Sequence, residues 1–192
     1  MMLIFIPIDI AFTHYGIWGF NEKYICGIYF FNLPIEEVLF FLVTHYACVF
    51  IYECCNSYIK RDILKSSYKW TLLGLAQAGI LAACFYPFQL YSSIQMGGAA
   101  LLTLFLMYFL KSVWLSRFTL AFLISLIPFF IMNGILTGSF IDEEIVWYNP
   151  NHIFSIRMGT IPIEDIFYSL FMLLTTMCFY EALKSKANSK VT

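Results

Sequence analysis

The 192-residue sequence has few charged residues. Only 12% of its residues are Asp, Glu, Lys or Arg, and the net charge is −1, whereas a soluble domain averages about 25% charged residues. The basic residues form no cluster within a polar domain, and the segments between the apolar runs are too short to fold separately. This pattern excludes nucleic acid as a partner.

Metal and redox motifs are also missing. His14, His45 and His152 show no metal-ligand spacing, and the adjacent Cys54 and Cys55 lack the spacing of a zinc site. The six cysteines lie mostly in or at the ends of apolar runs, which is typical of reduced core residues. No Gly-rich loop follows a strand, as a dinucleotide site would require. The sequence therefore predicts neither a metal nor a cofactor.

Apolar surface is what the sequence has in excess. Hydrophobic residues make up 61% of the chain and aromatic residues 20%, and the mean hydropathy is +0.78. One small core cannot hide this much apolar surface, so lipid must solvate much of it. The sequence predicts an all-α integral membrane protein of the cell membrane, with residues 1–192 forming a single membrane-embedded domain.

Five apolar runs approach the ~20 residues that a helix needs to cross the hydrocarbon core. They cover about 34–55, 69–87, 94–111, 117–136 and 162–183. A sixth run, from Leu3 to about Trp18, is interrupted by Pro7 and Asp9 and is predicted to be a partial span. It has no charged n-region and no small-residue cleavage site, so it is not predicted to be a signal peptide.

The basic residues predict the orientation of the spans. Nine of the eleven lie in three segments that alternation places on one side of the membrane, and the positive-inside rule assigns that side to the cytoplasm. The C-terminus is therefore predicted to be cytoplasmic. The nine are Lys60, Arg61, Lys65, Lys69, Lys111, Arg117, Lys184, Lys186 and Lys190, while Lys23 and Arg157 lie on the other side.

The sequence contains two copies of one unit. A shift of 128 positions aligns residues 21–53 with residues 149–181 and matches Pro34-Ile35-Glu36 with Pro162-Ile163-Glu164. Upstream, a shift of 124 positions aligns Asp9 with Asn133. We predict repeat one over about 1–56, a linking helix over about 69–87 and repeat two over about 94–184. Since both Pro-Ile-Glu helices start on the same predicted side, the repeats are expected to be parallel.

Each motif proline is predicted to open a helix, and two acidic residues follow it. A single Pro-x-Glu favours helix capping. Paired carboxyls at matching positions, however, supply more negative charge than a cap can use, and ionisable residues within a membrane are functional candidates by default. We predict that these four residues, Glu36, Glu37, Glu164 and Asp165, are catalytic. Glu53 and Glu181 are predicted instead to face water at the cytoplasmic interface.

Aromatic and polar residues accompany the acidic pairs and are predicted to bind the substrate. The tryptophans also suit interfacial belts, and for Asp9 and Asn133 packing and function remain equally open. His45 is predicted to be a hydrogen-bonded core residue. The predicted substrate-binding residues are Trp18, Phe20, Asn21, Phe40, Phe41, Asn133, Trp147, Asn149, Phe167 and Tyr168.

This pattern suits a specific chemistry. Carboxylic acids in a water-poor aromatic pocket tend to stay protonated and can donate a proton. Protonation of an isolated alkene creates a carbocation, which aromatic faces stabilise and a carboxylate can later deprotonate. The residues therefore favour an isomerising cyclisation of a lipid polyene.

Together, the motifs resemble the membrane-integral lycopene cyclases. The resemblance covers nearly the whole chain and includes the fused bacterial form of the two-subunit cyclases and the cyclase part of the bifunctional fungal enzymes. It implies cyclisation of the ψ-ends of lycopene to β-rings without net redox change, giving γ- and β-carotene. Its motifs are Trp18-Gly19-Phe20-Asn21, Pro34-Ile35-Glu36-Glu37, Phe40-Phe41, Asn133-Gly134-x-Leu136-Thr137-Gly138 and Gly159-Thr160-Ile161-Pro162-Ile163-Glu164-Asp165.

The resemblance leads to further expectations. Family members usually have one more N-terminal helix and a longer second one, so this chain is expected to begin inside the second. Glu36 or Glu164 is expected to act as the general acid, with the neighbouring Glu37 or Asp165 ionised to accept the ring proton. Two other functions remain open, a non-catalytic carotenoid-binding or assembly subunit and a proton-coupled transporter. Homo-oligomers or complexes with other carotenoid-pathway enzymes also remain open.

Overall fold

The computed structural model describes residues 1–154 and 156–188. The tail residue Lys190, one of the nine predicted cytoplasmic basic residues, lies outside the described residues. The described part is mostly helical, and after α4 a π-helical segment, Phe105–Phe109, continues the helix. The helices are α1 (Met2–His14), α2 (Ile35–Tyr58), α3 (Tyr68–Phe85), α4 (Leu90–Leu104), α5 (Leu115–Leu136) and α6 (Glu164–Asn188).

Four helices in the described part are long and apolar enough to cross a membrane. They are α2, α4 with its π-helical continuation, α5 and α6. The 18 residues of α3 form a helix as expected, but α3 is not among the four, because Lys69 and Gln77 lower its mean hydropathy. With 13 residues, α1 is shorter than a full span. The count of five full spans therefore stays a prediction.

Both motif helices begin slightly later than predicted. Pro34 and Pro162 do not occupy the first helical position but end short strands, and α2 and α6 begin at Ile35 and Glu164. Pro34 is the N-cap of α2 with an extended backbone, φ −63° and ψ 148°. This conformation is compatible with the fixed φ of proline and lets the chain turn from strand into helix.

Six short strands form three antiparallel pairs next to the motif helices. They are β1 (Trp18–Phe20), β2 (Tyr29–Phe30), β3 (Leu33–Pro34), β4 (Val146–Tyr148), β5 (Arg157–Met158) and β6 (Ile161–Pro162). Local hairpins pair β2 with β3 and β5 with β6, and the registers Tyr29–Pro34 and Arg157–Pro162 lie 128 positions apart. Each hairpin leads directly into a motif helix.

The third strand pair joins distant parts of the chain. β1 lies antiparallel to β4, with Gly19 opposite Trp147 at the centre of the register. A Cβ at position 19 would collide with the indole ring of Trp147, so only glycine fits there. Since Gly19 and Trp147 are also 128 positions apart, this pair is centred on equivalent positions of the two halves.

The core lies between the long helices. α4 packs between α3 and α6, and α2 packs against α5. α3 and α4 approach closely at Gly79, where a Cβ would collide with the carbonyl oxygen of Met96. Small residues at such crossings are typical of helix packing in membranes. Leu72, Phe118 and Leu174 are among the fully or nearly buried side chains of this core.

Candidate active site

A cavity of about 280 Å³ extends from the first turns of α2 and α6 along these helices to Ile51 and Leu173. Its walls come from α1, α2, α4, α5, α6 and the β1–β4 pair, and most lining side chains are apolar. α2 and α6 start on the same side of the bundle, so their motifs reach one shared space. Three carboxyl residues line the cavity, Asp9, Glu37 and Asp165.

Asp165 is held by hydrogen bonds from three different elements. Its Oδ1 accepts from the Tyr91 hydroxyl at 2.7 Å. Its Oδ2 accepts from Asn133 Nδ2 at 2.7 Å and from the Tyr148 hydroxyl at 2.9 Å. The donors belong to α4, α5 and β4, and the Asp165 residue is only 3% exposed. This arrangement stabilises a buried carboxylate because both oxygens have donors.

Asp9 and Glu37 have fewer partners than Asp165. Asp9 Oδ1 accepts from the Tyr168 hydroxyl at 3.2 Å, while its buried Oδ2 has no hydrogen-bond partner. No hydrogen-bond donor among the described residues reaches the Glu37 carboxyl. Both carboxyl residues line the same cavity. The side of the cavity nearest to α1 and α2 thus combines two acidic groups with a single hydroxyl donor.

The first acidic residue of each motif does not line the cavity. Glu36 Oε1 accepts the Cys26 backbone N–H at 2.7 Å. Glu164 Oε1 accepts the Phe154 backbone N–H at 2.6 Å and also the Ser92 hydroxyl at 2.6 Å. Cys26 and Phe154 again lie 128 positions apart. Both residues therefore tie the loop before a motif helix to the first turn of that helix.

Four of the predicted substrate-binding residues line the cavity. They are Trp18, Phe40, Asn133 and Tyr168. Phe40 and Tyr168 lie three residues after Glu37 and Asp165, so the pitch of α2 and α6 places each ring on the same helix face as the second acid. The aromatic rings of Trp18 and Tyr148 stack nearby with centroids 6.3 Å apart.

The other six predicted substrate-binding residues lie outside the cavity. Asn21 and Asn149 brace the β1–β4 pair, because their Nδ2 atoms donate to the carbonyl oxygens of Glu144 and Gly16. The other four pack in the core or beside the strands: Phe41 against Phe5, Phe167 in the helix core, Trp147 over Gly19, and Phe20 beside Trp18.

Two residues that shape the site were missing from the sequence-based set. Tyr148 follows Trp147, which was a predicted site residue. Successive side chains of a strand point to opposite faces, so Tyr148 could have been predicted as the alternative to Trp147. Tyr91 belongs to no recognisable motif and reaches Asp165 only because α4 packs against α6. Asp9, whose role was left open, lies in the cavity wall.

At the other end of α2 and α6, the carboxyl groups are paired rather than merely facing water. The Tyr52 hydroxyl donates to Glu181 at 2.8 Å, and the Tyr180 hydroxyl donates to Glu53 at 2.9 Å. Lys184 Nζ also lies 2.6 Å from Glu53 Oε1. The predicted interfacial position of these acids is untested, but their side chains join the two helices.

The cavity has the groups needed for acid–base chemistry on an apolar substrate. Its carboxyls can donate and accept protons, and ring faces such as those of Trp18, Phe40 and Tyr168 can stabilise a cation. Across residues 1–154 and 156–188, no group of three or more His, Cys, Asp or Glu side chains is arranged to hold a metal ion.

Comparison with known proteins identifies the family. The family model described as lycopene cyclase matches residues 1–55 and 88–183, which is most of the chain. The interval between the two matched segments contains α3. No curated protein and no solved structure matches the chain.

Proposed function

The chain belongs to the lycopene cyclase family, and we propose that it converts the ψ-ends of lycopene to β-rings by acid catalysis without net redox change. The reaction is an isomerisation that yields γ-carotene and then β-carotene. The observation that carries this proposal is the cavity, in which Glu37 and Asp165 face one apolar space from two motif helices.

The size and position of the cavity support an end group as the reacting part. Its volume of about 280 Å³ is close to the lower limit of ~300 Å³ for ligand pockets, so it suits one folded end of a long polyene. Val43 and Met132 line the cavity and are 63% and 55% exposed on the outer surface. The remainder of the polyene would therefore leave between α2 and α5 into lipid.

The positions of the four motif acids support a division of roles. Glu37 and Asp165 are the proposed catalytic residues because they line the cavity. Glu36 and Glu164 are proposed positioning residues, since each accepts the N–H of the preceding loop. This assignment differs from the expectation from the sequence, in which all four acids were catalytic and Glu36 or Glu164 was the general acid.

We also propose that the chain consists of two parallel repeats joined by α3. Equivalent hydrogen bonds support this organisation, because the Cys26–Glu36 and Phe154–Glu164 bonds lie 128 positions apart. The reciprocal Tyr–Glu bonds at the other end of α2 and α6 have the same spacing. The proposed orientation places that end in the cytoplasm, where most basic residues would lie.

A direct assay tests the proposed activity. The purified chain in lipid vesicles is given lycopene without nucleotide or metal, and the carotenoids are separated by chromatography. We expect γ- and β-carotene from the wild type and unchanged lycopene from a Glu37→Gln, Asp165→Asn double variant. Lycopene that binds to the wild-type chain but remains acyclic would contradict the proposal and support the carotenoid-binding subunit.

A further inference from the structure

The three cavity carboxyls have unequal surroundings, which suggests that they are not interchangeable. We infer that Asp9 is a third catalytic carboxyl, an inference that rests on the proposed function. In this assignment Asp9 and Glu37 form the proton-donating side of the cavity. Asp165 forms the proton-accepting side. This assignment goes beyond the family match, which names no residue.

The accepting side is defined by its donors. Tyr91, Asn133 and Tyr148 direct three hydrogen bonds at the two oxygens of Asp165, at 2.7–2.9 Å. The two carboxylate oxygens offer about four acceptor positions, so these three bonds stabilise the anion and leave one position on Oδ1 free for a proton. Hydrogen bonds to a carboxylate are stronger than those to a neutral acid, so this carboxyl is held as the anion and is ready to accept a proton.

The donating side lacks such donors. Asp9 is 1% exposed, accepts a single bond at 3.2 Å and has an unpartnered buried oxygen. Glu37 lines the same cavity, and no described residue donates a hydrogen bond to its carboxyl. No described Lys or Arg lines the cavity either. Two carboxylates that share one apolar cavity without a cation are not expected both to remain ionised. The pair therefore retains a proton.

Substitutions at equivalent positions explain the asymmetry. Asp9 aligns with Asn133, so one half adds an acid to the cavity that Glu37 lines, while the other half adds an amide that donates to Asp165. Tyr168 aligns with Phe40, and among the described residues its hydroxyl is the single donor to Asp9. Two nearly equivalent halves thus provide one acidic and one basic side.

The inferred proton path is balanced over one ring closure. The shared proton of Asp9 and Glu37 adds to C2 of the terminal alkene, whose electron pair forms the new C2–H bond and leaves a cation at C1. The C5=C6 electron pair then forms the C1–C6 bond and moves the cation to C5. Asp165 removes the C6 proton, whose bonding pair becomes the ring double bond. Asp165 then releases that proton to water and the Asp9–Glu37 pair takes up another from water, so the cycle closes with no net proton consumed and without an oxidant or a reductant.

Ring type distinguishes the two sides experimentally. The C5 cation can also lose a proton from C4 or from its methyl group, which gives an ε-ring or an exocyclic alkene. A weakened acid slows ring formation without changing where the last proton is lost. A weakened or displaced base allows these other positions to compete, so its products should contain new ring types.

The experiment compares Asp9→Asn and Asp165→Asn with the wild type and with Glu53→Gln as a matched control that does not line the cavity. Vesicles prepared in D₂O receive lycopene, and rings are identified by chromatography and mass spectrometry. We expect one new C–D bond per ring in the wild type, and a loss of ring formation of ~10²–10⁴-fold in Asp9→Asn with only β-rings remaining. Asp165→Asn should form fewer rings, including ε-rings or exocyclic alkenes.

A milder variant keeps the test decisive if Asp165→Asn makes no product. Tyr148→Phe removes one donor from Asp165 and should also give some of the new ring types. The inference is wrong if Tyr148→Phe and Asp165→Asn produce only β-rings, or if Asp9→Asn reacts like the wild type. Wild-type vesicles that leave lycopene unchanged would overturn the proposed function and this inference together.

Discussion

α2 and α6 carry carboxyl groups at both of their ends, and the hydrogen-bond partners of these groups differ between the two ends. At the end with Glu53 and Glu181, each carboxyl accepts a tyrosine hydroxyl from the other helix, and Lys184 adds a cation. At the cavity end, Asp165 accepts three hydrogen bonds, whereas Asp9 on α1 has an unpartnered buried oxygen and Glu37 has no donor in the described part of the chain. The pairs at the first end join the two helices, while the cavity combines one well-paired carboxyl with two poorly paired ones.

The physical reason lies in the cost of burial. A buried acidic group without partners destabilises a protein, and such groups within membrane proteins usually serve a function. The end with Glu53 and Glu181 avoids this cost because hydrogen bonds and an ion pair satisfy its carboxyl groups. At the cavity, Asp9 and Glu37 retain the cost of burial, which is expected if a substrate must meet an acid there.

The largest expected difference between the ends is in activity. Glu37→Gln keeps the shape of the side chain but removes its titratable proton, so ring formation should fall by ~10²–10⁴-fold. Glu53→Gln at the other end should convert lycopene at nearly the wild-type rate. Both are measured as initial rates at equal amounts of inserted protein, and similar losses in the two variants would remove the functional distinction between the ends.

A second comparison concerns the two loop-binding acids at the cavity end. Glu164→Ala leaves the Phe154 N–H and the buried Ser92 hydroxyl without their acceptor. Glu36→Ala leaves only the Cys26 N–H near the surface, where water can replace the carboxylate. We expect Glu164→Ala to destabilise the protein by about 1–3 kcal/mol more.

Thermal unfolding in detergent measures this difference as a larger decrease in the midpoint for Glu164→Ala than for Glu36→Ala. Wild-type chain incubated in the same detergent provides the baseline. Equal midpoints would show that the two loops are held equally well by other contacts.

A smaller effect is expected at the end with Glu53 and Glu181. Tyr52→Phe and Tyr180→Phe each remove one hydroxyl donor to a half-buried glutamate, which should cost about 0.5–1.5 kcal/mol of stability. Ring formation should continue because neither Tyr52 nor Tyr180 lines the cavity. Loss of cyclisation in a well-folded Tyr52→Phe variant would contradict the separation of the two ends.

The smallest effect is expected for the exposed pair Lys23–Glu143, at 3.3 Å beside the cavity end. Hydrogen bonds from Asn21 and Lys23, together with the Lys23 charge, hold the pKa of Glu143 below its ordinary value of 4.5. Its contribution to stability is therefore present above pH 4.5 and is lost as the pH falls through the lowered value.

Glu143→Gln should change the thermal midpoint only slightly at neutral pH, and the difference from wild type should vanish in acid. Midpoints are compared across a pH series in detergent at constant salt. A large difference at neutral pH would show that the Lys23–Glu143 pair contributes more to stability than expected. A difference that grows in acid would show that its contribution does not depend on the ionised carboxylate.

The sequence predicted the helices and the acidic motifs better than the arrangement of side chains within the site. Apolar runs located α2, α4, α5 and α6 to within a few residues, because lipid imposes a minimum span length. The motif spacing indicated that Glu37 and Asp165 are important, but not that they face the cavity while their neighbours do not. Successive helical residues point in directions that differ by about 100°. The rotation of the helix about its axis therefore decides which of the two acids faces the cavity, and that rotation depends on packing against the other helices.

Contacts between distant segments were the least predictable part of the site. Tyr91 and Asn133 meet at Asp165 because α4 and α5 pack around α6, and neither tyrosine nor asparagine forms a periodic signal. The β1–β4 pair positions Tyr148 in the same way. Such contacts depend on tertiary packing rather than on any local pattern.

The most direct test of the division of roles between the two acids of a motif compares Glu36→Gln with Glu37→Gln, two adjacent carboxyls of α2. Initial rates of β-ring formation are measured in lycopene-containing vesicles at equal inserted protein. Glu36→Gln should stay within about fivefold of wild type, since a surface hydrogen bond contributes ~1 kcal/mol, whereas Glu37→Gln should lose ~10²–10⁴-fold. The reverse order, or equal losses in both variants, would contradict the account.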